Sequence, residues 1–111
     1  MISPVRTSDN ILSQSDSEIK NMCHRIHTDG LVIYTDQDLS ESDFTAIGKR
    51  LGECEAPGLF MNPTDHPEIY LVTGKRDEHG NKLGMFGKTE LGWHSNGNSR
   101  HLIDKILVML Y

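Results

Sequence analysis

Two serine capping boxes constrain this chain more than any other feature. Ser15 is followed three residues later by Glu18, and Ser40 by Asp43. In such a box the serine hydroxyl accepts from a first-turn backbone N–H while the acid accepts from the serine N–H, which starts a helix at a defined residue. The first box opens a stretch with Ile19, Met22, Cys23 and Ile26 on one helical face, ended by Gly30. The second opens a stretch marked by Phe44, Ile47 and Leu51 and stopped by Gly52. Between them, Leu31-Val32-Ile33-Tyr34 is an apolar run without alternation, the pattern of a strand covered on both faces. Helix, strand and helix in this order predict two amphipathic helices packed on a sheet.

The flanking segments are less regular. Residues 1–14 mix Ser, Asp, Asn, Pro and Thr, and predict an extended or flexible tail or a short edge segment. Asp36-Gln37-Asp38 reads as a turn before the second box. Residues 53–65 carry Pro57, Gly58 and Pro63 and predict a loop. A second strand is expected over 69–73. His79-Gly80-Asn81 is expected at a hairpin tip before a short strand near 83–86, and 106–111 reads as a further strand. A chain of 111 residues supports one modest core, so 15–111 is expected to be a single α+β domain.

Composition removes several function classes. The formal charge is −5, with 11 basic residues scattered among 16 acidic ones, and nucleic-acid binding needs a clustered basic face. No segment reaches the roughly 20 apolar residues of a membrane span, and the start lacks the apolar core of a secretory signal. A cytoplasmic location and small-molecule or protein partners are therefore expected. Cys23 and Cys54 lie in no paired motif and read as reduced structural thiols. No polar residue follows Lys105, so residues 103–111 are expected either to be buried by self-association or to belong to the first part of something longer.

The candidate chemistry sits in Leu91-Gly92-Trp93-His94-Ser95-Asn96-Gly97-Asn98-Ser99-Arg100. If 93–96 is extended, His94 and Asn96 point the same way and can reach one ion. That spacing supplies two arms of the two-histidine, one-carboxylate arrangement that holds non-haem Fe(II). The same residues also fit a hydrogen-bonded turn beside Trp93 as a core anchor. Elsewhere, His24 and His27 share one side of a helix but read as surface residues, with no third ligand placed near them. Asp36 and Asp38 lack the later glycine and glutamate of a calcium loop and read as turn residues. Cys23 lies on an apolar face, which disfavours a reactive thiolate.

The order of these parts resembles the first half of the taurine dioxygenase-like (taurine/clavaminate-type) Fe(II)- and 2-oxoglutarate-dependent oxygenases. The pieces that match are residues 30–33, 36–39 and 51–53, then Trp93-His94-Ser95-Asn96-Gly97 where the family has Trp-His-x-Asp-Gly, and residues 106–111 as the next strand. The resemblance implies a double-stranded β-helix, or jelly roll, of about eight strands, of which this chain supplies part. It implies Fe(II) and 2-oxoglutarate as cofactors and a small polar substrate. His94 takes the position of the first metal-binding histidine, and Asn96 stands where the family has its aspartate. The family's second histidine and its 2-oxoglutarate-binding arginine come from a later part of the domain. The chain is thus expected to be an N-terminal portion of a larger oxygenase domain with an incomplete metal site, inactive by itself. The alternative is a non-catalytic binding or assembly module that self-associates through its last strand.

Overall fold

Both capping boxes form. In the computed structural model, which describes residues 4–54, 65–84, 90, 92–93, 106 and 108–111, Ser15 Oγ accepts from Glu18 N at 3.2 Å and Glu18 Oε2 accepts from Ser15 N at 2.9 Å. They open α1, Asp16–Asp29. Ser40 and Asp43 exchange the same two bonds, each at 3.1 Å, and open α2, Glu41–Leu51. The chain divides into two compact units, 1–54 and 55–111.

In the first unit, β1 (Val5–Thr7) and β2 (Val32–Tyr34) pair in parallel, with Val5 opposite Val32 and Thr7 opposite Tyr34. Val5 N donates to Leu31 O at 3.2 Å and Thr35 N to Thr7 O at 2.9 Å. Parallel neighbours require a crossover connection, and α1 supplies it. A short 3-10 helix, Ile11–Ser13, lies between β1 and α1. Within the segment expected to be a tail or a short edge segment, residues 4–14 contribute the edge strand β1, a helical turn and the buried side chain of Ile11. The physical reason is long-range. Gln37 Oε1 accepts from Ile11 N at 3.0 Å, and Gln37 Nε2 donates to Asp9 O at 2.9 Å and Thr35 O at 2.7 Å.

The core of this unit is Ile11, Ile19, Met22 and Ile47, with Ile26, Val32, Tyr34, Leu39 and Leu51 packed around it. α1 packs on β2 and on α2, and α2 packs on the 3-10 helix. On α2 the buried pair is Thr45 and Ile47, while Phe44 is only half-buried. The Thr45 hydroxyl has no hydrogen-bond partner among the described residues.

Most of the loop expected over 53–65, residues 55–64, lies outside the described residues. In the second unit, residues 66–69 form a turn closed by Ile69 N donating to His66 O at 3.1 Å. A hairpin follows. Arg76 and Lys82 form an isolated antiparallel bridge, Leu83 N donates to Lys75 O at 3.2 Å, and Asp77 N donates to Asn81 O at 2.9 Å. Gly80 has φ +80°, so the glycine expected at the tip is there for its left-handed backbone. The regular strand expected over 69–73 is not present; that segment has no ladder partner among the described residues. It does run against residue 84: a Cβ there would lie 2.6 Å from Leu71 O and 2.8 Å from Thr73 N, so only glycine fits. Of the expected strand near 83–86, residues 83 and 84 form a bend, and 85–86 lie outside the described residues. Residues 106 and 108–111 have no regular secondary structure.

The two helix stops differ in kind. Gly30 closes α1 at φ +84°, with its N–H donating to Ile26 O at 2.9 Å, whereas Gly52 closes α2 in extended backbone at φ 167°. A side chain in the left-handed region costs about 1–2 kcal/mol. Gly30→Ala is therefore expected to lower the urea unfolding free energy by about that amount. Gly52→Ala, whose Cβ would meet nothing within 4 Å, is expected to be neutral or to stabilise by up to about 1 kcal/mol through the unfolded chain. Equal losses at the two positions would contradict this assignment.

Candidate functional site

Of residues 91–100, only Gly92 and Trp93 are among the described residues. His94 and Asn96, the residues expected to hold a metal, lie outside the described residues, as do Ser95 and Gly97. Trp93 is fully exposed, at 107% of its reference accessibility. The expectation that it anchors a core is thus corrected: its ring buries none of the roughly 150–250 Å² that such a side chain brings to an interior. An exposed indole is instead the kind of side chain that binding surfaces use as an anchor. Neither crowding nor a left-handed backbone calls for glycine at 92.

The other candidates occupy structural roles. His24 and His27 are both exposed on α1. The His27 ring donates through Nδ1 to Cys23 O at 2.8 Å, which ties it to its own helix. Cys23 and Cys54 are free and half-buried, and Cys54 Sγ lies so close to Gly48 that a Cβ there would sit 3.1 Å from it. Asp36 has φ +57°, a left-handed turn position that aspartate tolerates, in keeping with its reading as a turn residue. Among the described residues, no three His, Cys, Asp or Glu side chains converge to hold a metal ion.

Two further polar constellations organise the described residues. In the first, Tyr34 Oη donates to Gln14 Oε1 at 2.6 Å, and burial pushes its phenol above the ordinary range. Arg50 Nη2 donates to Gln14 O at 2.9 Å and to Asp16 Oδ1 at 2.8 Å. In the second, within the hairpin, Asp77 Oδ1 accepts from Asn81 N at 2.8 Å and His79 N at 2.9 Å, and Oδ2 accepts from Asn81 Nδ2 at 3.1 Å. These donors, Asn81 N first, hold the Asp77 carboxyl below the ordinary carboxylate range. Asp77 is detectable in principle from Asp77-Glu78-His79-Gly80-Asn81, a turn composition with an aspartate four residues before the asparagine. Gln14 and Gln37 carry no local signal for these roles, because Tyr34 and Arg50 lie 20 or more residues from Gln14, and Ile11 and Asp9 lie more than 20 from Gln37, whose only near partner among the described residues is the Thr35 carbonyl.

No family model matches the chain, and no solved structure matches it. It is similar to pentalenolactone F synthase from Streptomyces avermitilis, 30% identical over 77 residues that cover 68% of this chain and 25% of the relative. The chain therefore has a synthase among its distant relatives and spans about a quarter of that protein's length. Among the described residues, no helix is long and apolar enough to cross a membrane.

The Asp77 geometry fixes the sign of a pH effect. A carboxyl whose folded pKa lies below its unfolded value contributes stability above the unfolded value, and that contribution is lost as pH falls through the folded one. The hairpin over 75–83 is expected to loosen only below the ordinary aspartate range. In an NMR titration, the Asp77 midpoint is expected below 3.8, the ordinary value. Asn81→Ala should raise it part of the way, because the residue-81 backbone N–H remains. An Asp77 midpoint at the ordinary value would overturn the assignment.

Proposed function

We propose that residues 15–111 belong to an Fe(II)- and 2-oxoglutarate-dependent oxygenase of the taurine dioxygenase-like kind, acting on a small polar substrate. The observation that carries this reading is the ordered series of capped helix, apolar strand, capped helix and Trp93-His94-Ser95-Asn96-Gly97 in one chain. Similarity to a named synthase over 77 residues supports an enzymatic relationship. The jelly-roll framework and both cofactors belong to the same proposal. So does the whole protein's activity, since the chain spans a quarter of that relative.

The donor chemistry limits what these residues do. The His94 imidazole is an ordinary Fe(II) donor, and the Asn96 carboxamide is neutral where the motif calls for a carboxylate. One imidazole and one amide do not make up a two-histidine, one-carboxylate triad, so the motif at 93–97 does not fit a working iron centre by itself. Its role in residues 1–111 is to mark a ligand position. Anaerobic titration with Mn(II) tests this. Asn96→Asp is expected to tighten binding by about tenfold, equivalent to roughly 1.4 kcal/mol. Adding His94→Ala to that variant is expected to weaken the binding again. If Asn96→Asp leaves affinity unchanged and His94→Ala has no effect, the assignment is wrong.

A second reading is favoured by exposure in residues 108–111, where Val108, Met109, Leu110 and Tyr111 stand at 36%, 60%, 45% and 104%. Consecutive exposed apolar side chains mark association surfaces. In this reading the chain is a binding or assembly module that pairs with a second copy through residues 103–111, of which 103–105 and 107 lie outside the described residues. Sedimentation at micromolar concentration is expected to show a dimer or larger species that Leu110→Lys shifts toward monomer, since a buried unpaired charge is costly. A monomeric parent chain would remove this reading and leave the metal titration untouched.

A further inference from the structure

We draw no further inference here: the strongest candidate, the edge of β2 that faces away from β1 in the two-stranded sheet, carries nothing because nothing in the structure shows what covers it.

Discussion

The first unit depends on the side-chain amide of Gln37. Its oxygen accepts from Ile11 N, and its nitrogen donates to the carbonyls of Asp9 and Thr35. β1 and β2 are three residues each, and a two-stranded pairing of that size is marginal in water by itself. The amide adds three hydrogen bonds, two of them between the segment after β1 and the turn after β2. At about 1 kcal/mol net for each, they are significant against a domain stability of roughly 5–15 kcal/mol. They also hold Ile11 where it completes the cluster of Ile19, Met22 and Ile47. A hydrogen-bonding side chain thus joins the β1–β2 pairing in holding the N-terminal segment against the core.

A second polar group ties the same segment to the helices. Gln14, just after the 3-10 helix, accepts from Tyr34 through its side chain and from Arg50 through its carbonyl, while Arg50 also reaches Asp16 at the start of α1. The Arg50–Asp16 pair is exposed on the Asp16 side and contributes little as an ion pair. The half-buried bond between Tyr34 and Gln14 contributes more to order, because breaking it would leave a phenol and an amide unsatisfied beside the core. With α1 crossing between parallel strands, the first unit is a small β–α–β scaffold followed by α2. Its polar residues serve to hold that scaffold together.

What is legible in the sequence is local. A capping box is complete within four residues and an amphipathic face within eight, so α1 and α2 can be read almost to the residue. Of the Leu31-Val32-Ile33-Tyr34 run, residues 32–34 form β2 and are half-buried, with Val32 and Tyr34 packed on the apolar core, while Leu31, expected in the same covered strand, is 45% exposed. β1 cannot be read, since Val5-Arg6-Thr7 carries no pattern and owes its pairing to Leu31, Thr35 and Gln37. Gly30 and Gly52 look alike as stop signals and differ in backbone conformation, which the sequence does not contain. The expected strand over 69–73 has suitable residues, yet ladder bonds depend on a neighbour, and the hairpin pairs closer to its tip, at Arg76 and Lys82. Trp93 suggests a core anchor by its size alone, but burial depends on what surrounds a ring, and its sequence neighbours are polar or small. Spacing and resemblance single out His94 and Asn96, and both specify residue types but not positions in space.

Asn96 is where the resemblance and the physical chemistry diverge. Aspartate and asparagine nearly share a shape, so asparagine where the resembled motif has aspartate differs from it chiefly by one negative charge. A divalent cation held through His94 and Asn96 would keep its full charge, and the site would have to compensate for it elsewhere. The carboxamide also introduces a donor, Nδ2, which a carboxylate lacks and which suits a side chain closing a turn on its own backbone. Proton competition changes as well. A carboxylate ligand must be ionised and an imidazole neutral for metal to bind, and with an amide at 96 only the His94 requirement remains. Metal affinity at this motif would then follow a single protonation equilibrium, whereas a carboxylate-bearing motif would add a second, acidic one. The position that most resembles a metal motif is therefore also the one where a neutral side chain stands in place of the resembled motif's carboxylate.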